Sequence, residues 1–226
     1  MSEHLNGRVV VITGANGRLG RRMVQGFAGA GATVAGLVRN EADAAQVPRA
    51  GDVQVFVADV TDEAAVEAAF DAVVRRCGRV DALVHTVGAW EARPLLETTP
   101  AQWASMLARN LTSAFLCFRA AARVMQAGGH GGRLIAFASG QGADRGAAKQ
   151  AAYSAAKAGV VRLVEAVAAE FAGTGLTAHA VAPSMILYDD EAGAEGVRAD
   201  DLVALCRYLC TDAGAALNGA TLRAYG

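Results

Sequence analysis

Short apolar runs alternate with longer amphipathic segments along the whole chain. The apolar runs are typical of buried strands and cover residues 8–12, 33–37, 53–58, 82–87, 133–138, 177–181 and 221–224. Between them, apolar residues recur at helical spacing, which predicts helices over residues 19–29, 62–76, 100–126, 200–210 and around Tyr153. The chain therefore repeats strand and helix from end to end.

Two of these helices carry recognisable start signals. Thr61 is expected to cap the helix over residues 62–76. Thr99 is followed by Pro100 and by Gln102, which predicts a capping box with proline at the first helical position.

Strands that are apolar at nearly every position are typical of a parallel sheet covered on both faces. The pattern predicts an α/β fold of about seven strands, a doubly wound sheet with helices on both faces. No internal repeat or linker interrupts it, so residues 1–226 are expected to form a single domain. Ligands of such folds bind at the carboxyl ends of the strands.

The composition of the chain excludes some classes of binding partner. The formal net charge of −1 argues against nucleic acid or an anionic membrane surface as the main partner. No apolar run is long enough to span a membrane, and the start of the chain does not resemble a secretion signal, so we predict a cytoplasmic protein. Cys206 and Cys210 have the spacing of a possible metal pair, but without further ligands they are interpreted as buried thiols, and no metal site is predicted.

A glycine-rich turn follows the first strand and leads directly into a helix. It runs from Thr13 to Gly20 and contains Gly14 and Gly17. Glycines at this position let backbone N–H groups approach a pyrophosphate at the helix N-terminus. The turn therefore predicts a nucleotide site.

A second cluster follows the fifth strand. Tyr153 and Lys157 are one helical turn apart and share a face, while Ser139 ends the strand before them. An ammonium beside a phenol lowers the phenol's pKa from about 10 toward working pH, which suits a proton donor. A surface pair is the alternative interpretation of the same spacing.

Taken in order, the glycine turn, Asp59, Asn110, Ser139 and the Tyr153–Lys157 pair resemble the short-chain dehydrogenase/reductase superfamily over essentially the whole chain. The resemblance implies a Rossmann-type sheet and hydride transfer between a nicotinamide cofactor and a carbonyl, alcohol or imine carbon. The catalytic residues would be Asn110, Ser139, Tyr153 and Lys157, with Asn110 kinking its helix and holding a water that links Lys157 to solvent. Asp59 would bind the adenine amine, or alternatively cap its loop.

The resemblance also implies the cofactor-binding set. Its members follow the carboxyl ends of several strands and are Gly14, Asn16, Gly17, Arg18, Leu19, Gly20, Arg39, Asp59, Val60, Thr86, Gly88, Tyr153, Lys157, Pro183, Ser184, Met185 and Ile186.

Some positions depart from the family pattern. Arg18 replaces a glycine of the loop, which is similar to the pteridine-reductase branch, and its guanidinium could meet phosphate oxygens. Arg39 follows the second strand where NAD-preferring relatives carry an acid, so NADP(H) is preferred over the alternative, NAD(H).

Other departures concern the backbone around the site. His85 and Thr86 replace two asparagines, and His85 is interpreted as structural. Ser184 replaces a glycine, which is acceptable if its φ is negative.

Residues 185–200 correspond to the family's substrate lid, which is shorter here. The two long helices are apolar on more than one face, which predicts a homodimer or homotetramer or, alternatively, helices that cross within one subunit.

The main hypothesis is an NADP(H)-dependent oxidoreductase acting on a small-molecule carbonyl or alcohol. A catalytically weak nucleotide-binding sensor or scaffold is the alternative, and a serine hydrolase is disfavoured because no nucleophile elbow surrounds Ser139.

Overall fold

Seven parallel strands form the central sheet of the computed structural model, which describes residues 5–189, 191 and 195–226. In chain order the strands are β1 Val9–Thr13, β2 Thr33–Val38, β3 Val53–Val57, β4 Ala82–His85, β5 Gly132–Phe137, β6 Leu176–Pro183, β7 Ile186–Leu187, β8 Val197–Arg198 and β9 Thr221–Ala224. The sheet order is β3-β2-β1-β4-β5-β6-β9, while β7 and β8 form a separate parallel pair. The predicted doubly wound parallel sheet is confirmed.

The helices alternate with the strands. They are α1 Arg18–Gly29, α2 Glu41–Ala44, α3 Glu63–Cys77, α4 Pro100–Leu107, α5 Ser113–Gly128, α6 Gly140–Ala143, α7 Ala151–Glu170 and α8 Ala199–Leu209. The short helices α2 and α6 and the pair β7–β8 were not expected from the sequence pattern, because two to four residues carry no readable period.

Capping explains two helix starts. The capping box of Thr99 and Gln102 forms as predicted, with Pro100 as the first residue of α4. The prediction for α3 was wrong by one residue: the side chain of Asp62, not Thr61, accepts the N–H of Ala65. Thr61 instead donates its hydroxyl to Asp59, which ties the loop before the helix.

Each face of the sheet has its own apolar core. On one face, α1 and α8 pack side chains such as Phe27 and Leu202 against the strands. On the other, α3, α5 and α7 contribute side chains such as Phe70, Phe118 and Val164. The winding direction changes between β1 and β4, and a crevice at the carboxyl ends of adjacent strands is expected at such a switch point.

The long helix predicted over residues 100–126 is interrupted. A π-helical segment, Ala108–Thr112, separates α4 from α5. Single π turns are rare and often mark functional sites. Among the described residues no helix is both long and apolar enough to cross a membrane.

Candidate active site

The four residues predicted to be catalytic line one cavity at the carboxyl edge of the sheet. The cavity has a volume of about 1080 Å³, and Asn110, Ser139, Tyr153 and Lys157 all contribute to its wall. Ser139 follows β5, and Tyr153 and Lys157 lie on α7, whose first turns pass over that strand end. The parallel order of the sheet thus brings together residues that are far apart in sequence.

Lys157 is held at the end of β5. Its side chain is buried, and Nζ donates a hydrogen bond of 2.7 Å to the carbonyl of Phe137, the last residue of that strand. Burial disfavours the charged ammonium and lowers the pKa of Lys157 to about 8. Nζ lies 6.0 Å from the centre of the Tyr153 ring, as expected for residues one turn apart.

The pKa of the Tyr153 phenol shifts in the direction opposite to the one expected from the sequence. Burial raises the pKa of Tyr153, and the neighbouring Ser139 hydroxyl opposes that shift. Lys157 is not among the groups that shift it, so the lowering of the phenol's pKa expected from the sequence is not observed.

Ser139 presents a hydroxyl that is free to bind a ligand. Its backbone is extended, and its carbonyl accepts the N–H groups of Gly142 and Ala143. The Oγ atom is buried and makes no hydrogen bond of good geometry among the described residues, although it lies near enough to the Tyr153 phenol to oppose the rise of that group's pKa. A buried hydroxyl without a hydrogen-bond partner is unfavourable unless a ligand supplies the partner. The wall of the cavity therefore fits a bound polar group.

Asn110 lies in the π-helical segment and is almost fully buried. Its Oδ1 accepts the N–H of Ala89 at 3.1 Å, and its Nδ2 donates to the Ala89 and Met106 carbonyls at 3.0 Å each. The carboxamide thus fixes the chain that follows β4 at the cavity entrance. The predicted interruption of the helix at this asparagine is observed as a change to π geometry.

Gly88 leaves room for this arrangement. A Cβ at position 88 would lie 2.9 Å from Oδ1 of Asn110 and 3.2 Å from Nζ of Lys157. Gly88 lines both the catalytic cavity and the groove beside it. Only a residue without a side chain keeps this junction open.

The glycine turn before α1 is similarly crowded. Gly14 has φ of +63°, the left-handed region that favours glycine. A Cβ at Gly20 would lie 2.0 Å from the Gly14 carbonyl oxygen. The first turn of α1 contains no acidic residue, which suits an anion at its N-terminus. The residues present therefore fit a dinucleotide's phosphates.

A second groove, of about 500 Å³, continues from Gly88 to the ends of β2 and β3. Arg39 lies on its wall with 72% of its side chain exposed, and its Nε is 4.0 Å from Oδ2 of Asp43. Asp59 also lines this groove. Its Oδ1 accepts the N–H and hydroxyl of Thr61, and these bonds lower the pKa of Asp59. Asp59 thus caps its loop while it faces the groove.

The sequence reasoning missed Asp43 as a groove residue. Asp43 lies in the short helix α2, where its N–H donates to the side chain of Asn40. An asparagine three residues before an acid is a helix-start signal, so the short helix was detectable in principle.

His85 and Thr86 tie β4 to its neighbours. Ring nitrogens of His85 lie 3.0 Å from Oγ1 of Thr13 and 3.2 Å from Oγ of Ser113. Thr86 donates its hydroxyl to the Thr13 carbonyl at 2.7 Å. Burial, assisted by the charge of Lys157, lowers the pKa of His85 to about 3, so the imidazole is neutral. This geometry agrees with the structural interpretation of His85.

Arg18 contacts the lid in the structure. Its guanidinium carbon lies 3.9 Å from the centre of the Tyr188 ring, and Nη1 is 3.1 Å from Oε1 of Glu191. One turn later on α1, Arg22 forms an ion pair with Asp189, which also belongs to the lid. The pteridine-reductase-like contact of Arg18 with phosphate stays a prediction. Residues 190 and 192–194 of the predicted lid lie outside the described residues.

The segment after β6 completes the cavity. Pro183, Ser184, Met185 and Ile186 all line it. Ser184 has no positive φ, and its Oγ donates to the carbonyl of Tyr225 at 2.6 Å. Sequence reasoning missed five polar residues of the wall, which lie between β5 and α7 and after β9: Gln141, Asp144, Arg145, Gln150 and Tyr225.

Among the described residues, no cluster of three or more potential ligands could hold a metal. Cys206 and Cys210 are buried free thiols, and burial raises the pKa of both, that of Cys210 to about 12. They belong to the core beneath α8.

Comparison with known proteins agrees with this architecture. The model of the short chain dehydrogenase family matches residues 8–193, and the chain belongs to that family. It is 34% identical to D-threitol dehydrogenase of Mycolicibacterium smegmatis, over 96% of this chain and 91% of that protein. It is 30% identical to the 3-oxoacyl-[acyl-carrier-protein] reductase FabG of Escherichia coli, over 99% of this chain and 98% of that protein.

Solved structures give the same result. A putative short-chain dehydrogenase/reductase from Burkholderia xenovorans superposes with a TM-score of 0.88 at 31% identity, covering 100% of this chain and 97% of that chain. A putative short-chain alcohol dehydrogenase from Sinorhizobium meliloti superposes with a TM-score of 0.91 at 26% identity, covering 99% and 96%. The protein is thus a short-chain dehydrogenase/reductase.

Proposed function

We propose that the protein is an NADP(H)-dependent oxidoreductase that interconverts a carbonyl, or an imine, with the corresponding alcohol or amine of a small molecule. The observation that carries this proposal is the buried Ser139 hydroxyl, which has no partner among the described residues and lies on the same wall as Tyr153. Relatives named as a polyol dehydrogenase and as a ketoacyl reductase support chemistry at a carbonyl or carbinol carbon.

In this proposal each residue of the cavity has a separate task. The nicotinamide, when bound, supplies or accepts the hydride. Ser139 donates a hydrogen bond to the carbonyl oxygen and orients it. Tyr153 gives that oxygen its proton in reduction and takes it back in oxidation. Lys157 is held by Phe137 beside the phenol, where its charge favours the phenolate that forms.

Asn110 acts through the backbone. It holds Ala89 with two hydrogen bonds and so keeps the entrance next to Gly88 in one position. Gly14, Asn16, Val60, Thr86 and the segment from Pro183 to Ile186 would hold the cofactor along the two connected grooves.

The choice of NADP(H) rests on Arg39. An exposed guanidinium on the wall of the second groove suits a 2′-phosphate, and no acid follows β2 directly. NAD(H) is the second candidate because Asp43 lies on the same wall and could accept ribose hydroxyls. We further propose a cytoplasmic homodimer or homotetramer formed through α5 and α7, since Phe115 on α5 is 44% exposed.

Conversion of Tyr153 to phenylalanine tests the assignment. With NADPH and a panel of ketones, Tyr153→Phe should lose about 1000-fold in kcat while its affinity for NADPH stays within about threefold. Tyr208→Phe, on α8, is the matched control and should keep full activity. Unchanged turnover in Tyr153→Phe would contradict the role of the phenol. Cofactor binding by the wild-type protein without turnover of any ketone would instead favour a sensor or scaffold.

A further inference from the structure

The residue just before α7 has an unexplained side chain. Gln150 is the N-cap residue of α7 and lies three positions before Tyr153, and both side chains line the cavity. Its Oε1 is buried and has no hydrogen-bond partner among the described residues. Ser139 is the other wall residue with a buried oxygen in this condition.

The backbone around Gln150 is held on both sides. Its N–H donates to the Ala147 carbonyl at 3.1 Å, and its own carbonyl accepts the N–H of Ser154 at 2.8 Å. The preceding residue, Lys149, has φ of +62° and is the one non-glycine residue with positive φ in the described part of the chain. The Lys149 carbonyl accepts the N–H of Arg93 at 2.6 Å, which stabilises this unusual conformation. The backbone that carries the Gln150 carboxamide is therefore held in place.

We infer that the Gln150 carboxamide binds a hydroxyl group on the carbon beside the reacting carbon, and that the substrate is an α-hydroxy ketone or the matching vicinal diol. This rests on the proposed function, in which Ser139 and Tyr153 take the reacting oxygen. The unpartnered amide is then left for a second oxygen on the same molecule. A hydroxyl suits it in either orientation of the amide, because a hydroxyl both donates and accepts.

Further polar side chains lie on the same wall. Gln141, Asp144 and Tyr225 line the cavity from the segment between β5 and α7 and from the C-terminal segment. Asp144 accepts hydrogen bonds from the Tyr225 hydroxyl and from Nε of Arg223, the latter at 2.5 Å. These groups suit a substrate that carries polar groups beside the reacting carbon.

The experiment compares acetoin, which has a hydroxyl beside its ketone, with butanone, which lacks it. In the wild-type enzyme, with NADPH or NADH, kcat/KM should favour acetoin by about tenfold or more. Gln150→Met, which keeps an unbranched side chain of similar size, should lower this preference about tenfold and leave kcat/KM for butanone within about threefold. Gln25→Met makes the same side-chain change at an exposed position of α1, outside both grooves, and should leave the preference unaltered.

Each other outcome overturns the inference in a distinguishable way. If the wild-type enzyme reduces butanone but does not favour acetoin, the role of Gln150 is wrong and the proposed function stands. An equal loss for both substrates in Gln150→Met identifies a structural side chain. If the wild-type enzyme reduces neither ketone with either cofactor, the proposed function and the inference both fail.

Discussion

The two connected grooves that are proposed to hold the cofactor differ in how their side chains are held. At the reacting end, Lys157 and Asn110 are buried and bonded to the backbone of Phe137 and Ala89. At the far end, Arg39 extends into an open groove with 72% of its side chain exposed. The side chains proposed for the chemistry are thus bonded to fixed elements, whereas the side chain proposed to select the cofactor is solvated.

The difference has an energetic origin. Burying a polar or charged group without its partners is costly, so the buried residues have few alternative arrangements. An exposed arginine is satisfied by water in many conformations. We therefore expect substitutions near the reacting end to have large effects on activity and stability, and substitutions at the far end to change selectivity by smaller factors.

Closing the junction between the two ends should have a large effect on kcat/KM. In Gly88→Ala the new Cβ would lie 2.9 Å from Oδ1 of Asn110, which cannot withdraw because it holds the Ala89 N–H. We expect kcat/KM to fall by about 100-fold, since small displacements of catalytic groups have effects of that size. Steady-state kinetics with NADPH and a ketone would measure this.

The matched control is Gly29→Ala at the end of α1, where a Cβ would meet nothing within 4 Å. It should leave kcat/KM unchanged. A Gly88→Ala enzyme with wild-type kinetics would mean that the junction is not part of the working site.

Removing the buried ammonium should stabilise the protein while it abolishes activity. The pKa of Lys157 is lowered from 10.5 to about 8, so the folded protein carries a penalty for the charge below pH 8. Lys157→Met should raise the free energy of unfolding by about 2 kcal/mol at pH 7, less than the full pKa shift implies because the Phe137 carbonyl loses its donor.

The sign of the pH dependence follows from the same shift. Between pH 8 and pH 10.5 the folded wild-type protein has lost the proton that the unfolded chain still binds, so wild-type stability rises and the gain from Lys157→Met shrinks. Urea unfolding at pH 7 and pH 10 tests this. Lys149→Met, at the exposed lysine of the chain, should show neither effect. A gain that is equal at both pH values would contradict the buried-charge explanation.

Sequence reasoning succeeded where residues are fixed by the backbone. The parallel sheet, the capping box at Thr99 and the position of Ser139 and Tyr153 on one cavity wall all follow from periodicity and from the rule that parallel strands end at one edge. A kink at Asn110 was implied by the family resemblance, whereas its π-helical form was not predicted. The carboxamide also donates to Ala89, a contact that no local sequence pattern indicates.

It was less successful with side chains whose direction depends on tertiary contacts. The contact of the Arg18 guanidinium with Tyr188 and Glu191 was not foreseen, because no local pattern links these two residues to the glycine turn. The amide of Gln150 gave no signal at all, because its burial depends on the surrounding loop. Burial also reversed the expected pKa shift of Tyr153.

Removing the arginine at the far end should give the smallest of the predicted effects. Arg39→Ala should weaken NADPH binding about tenfold and leave NADH binding within about twofold, because an exposed guanidinium meets the 2′-phosphate in a solvated, screened setting. Fluorescence titration of the two cofactors against wild-type and variant protein measures the ratio. The effect should diminish at high salt, since the interaction is electrostatic.

Arg18→Ala is the matched variant that decides which arginine selects the cofactor. The guanidinium of Arg18 is engaged by Tyr188 and Glu191, whereas that of Arg39 lines the groove that would hold the adenosine ribose. We therefore expect Arg18→Ala to change the NADPH-to-NADH ratio by less than about threefold. A loss of NADPH affinity in Arg18→Ala as large as that in Arg39→Ala would show that Arg18 leaves its contacts with the lid and binds the cofactor. Cofactor selection would then depend on the first turn of α1 as well as on Arg39.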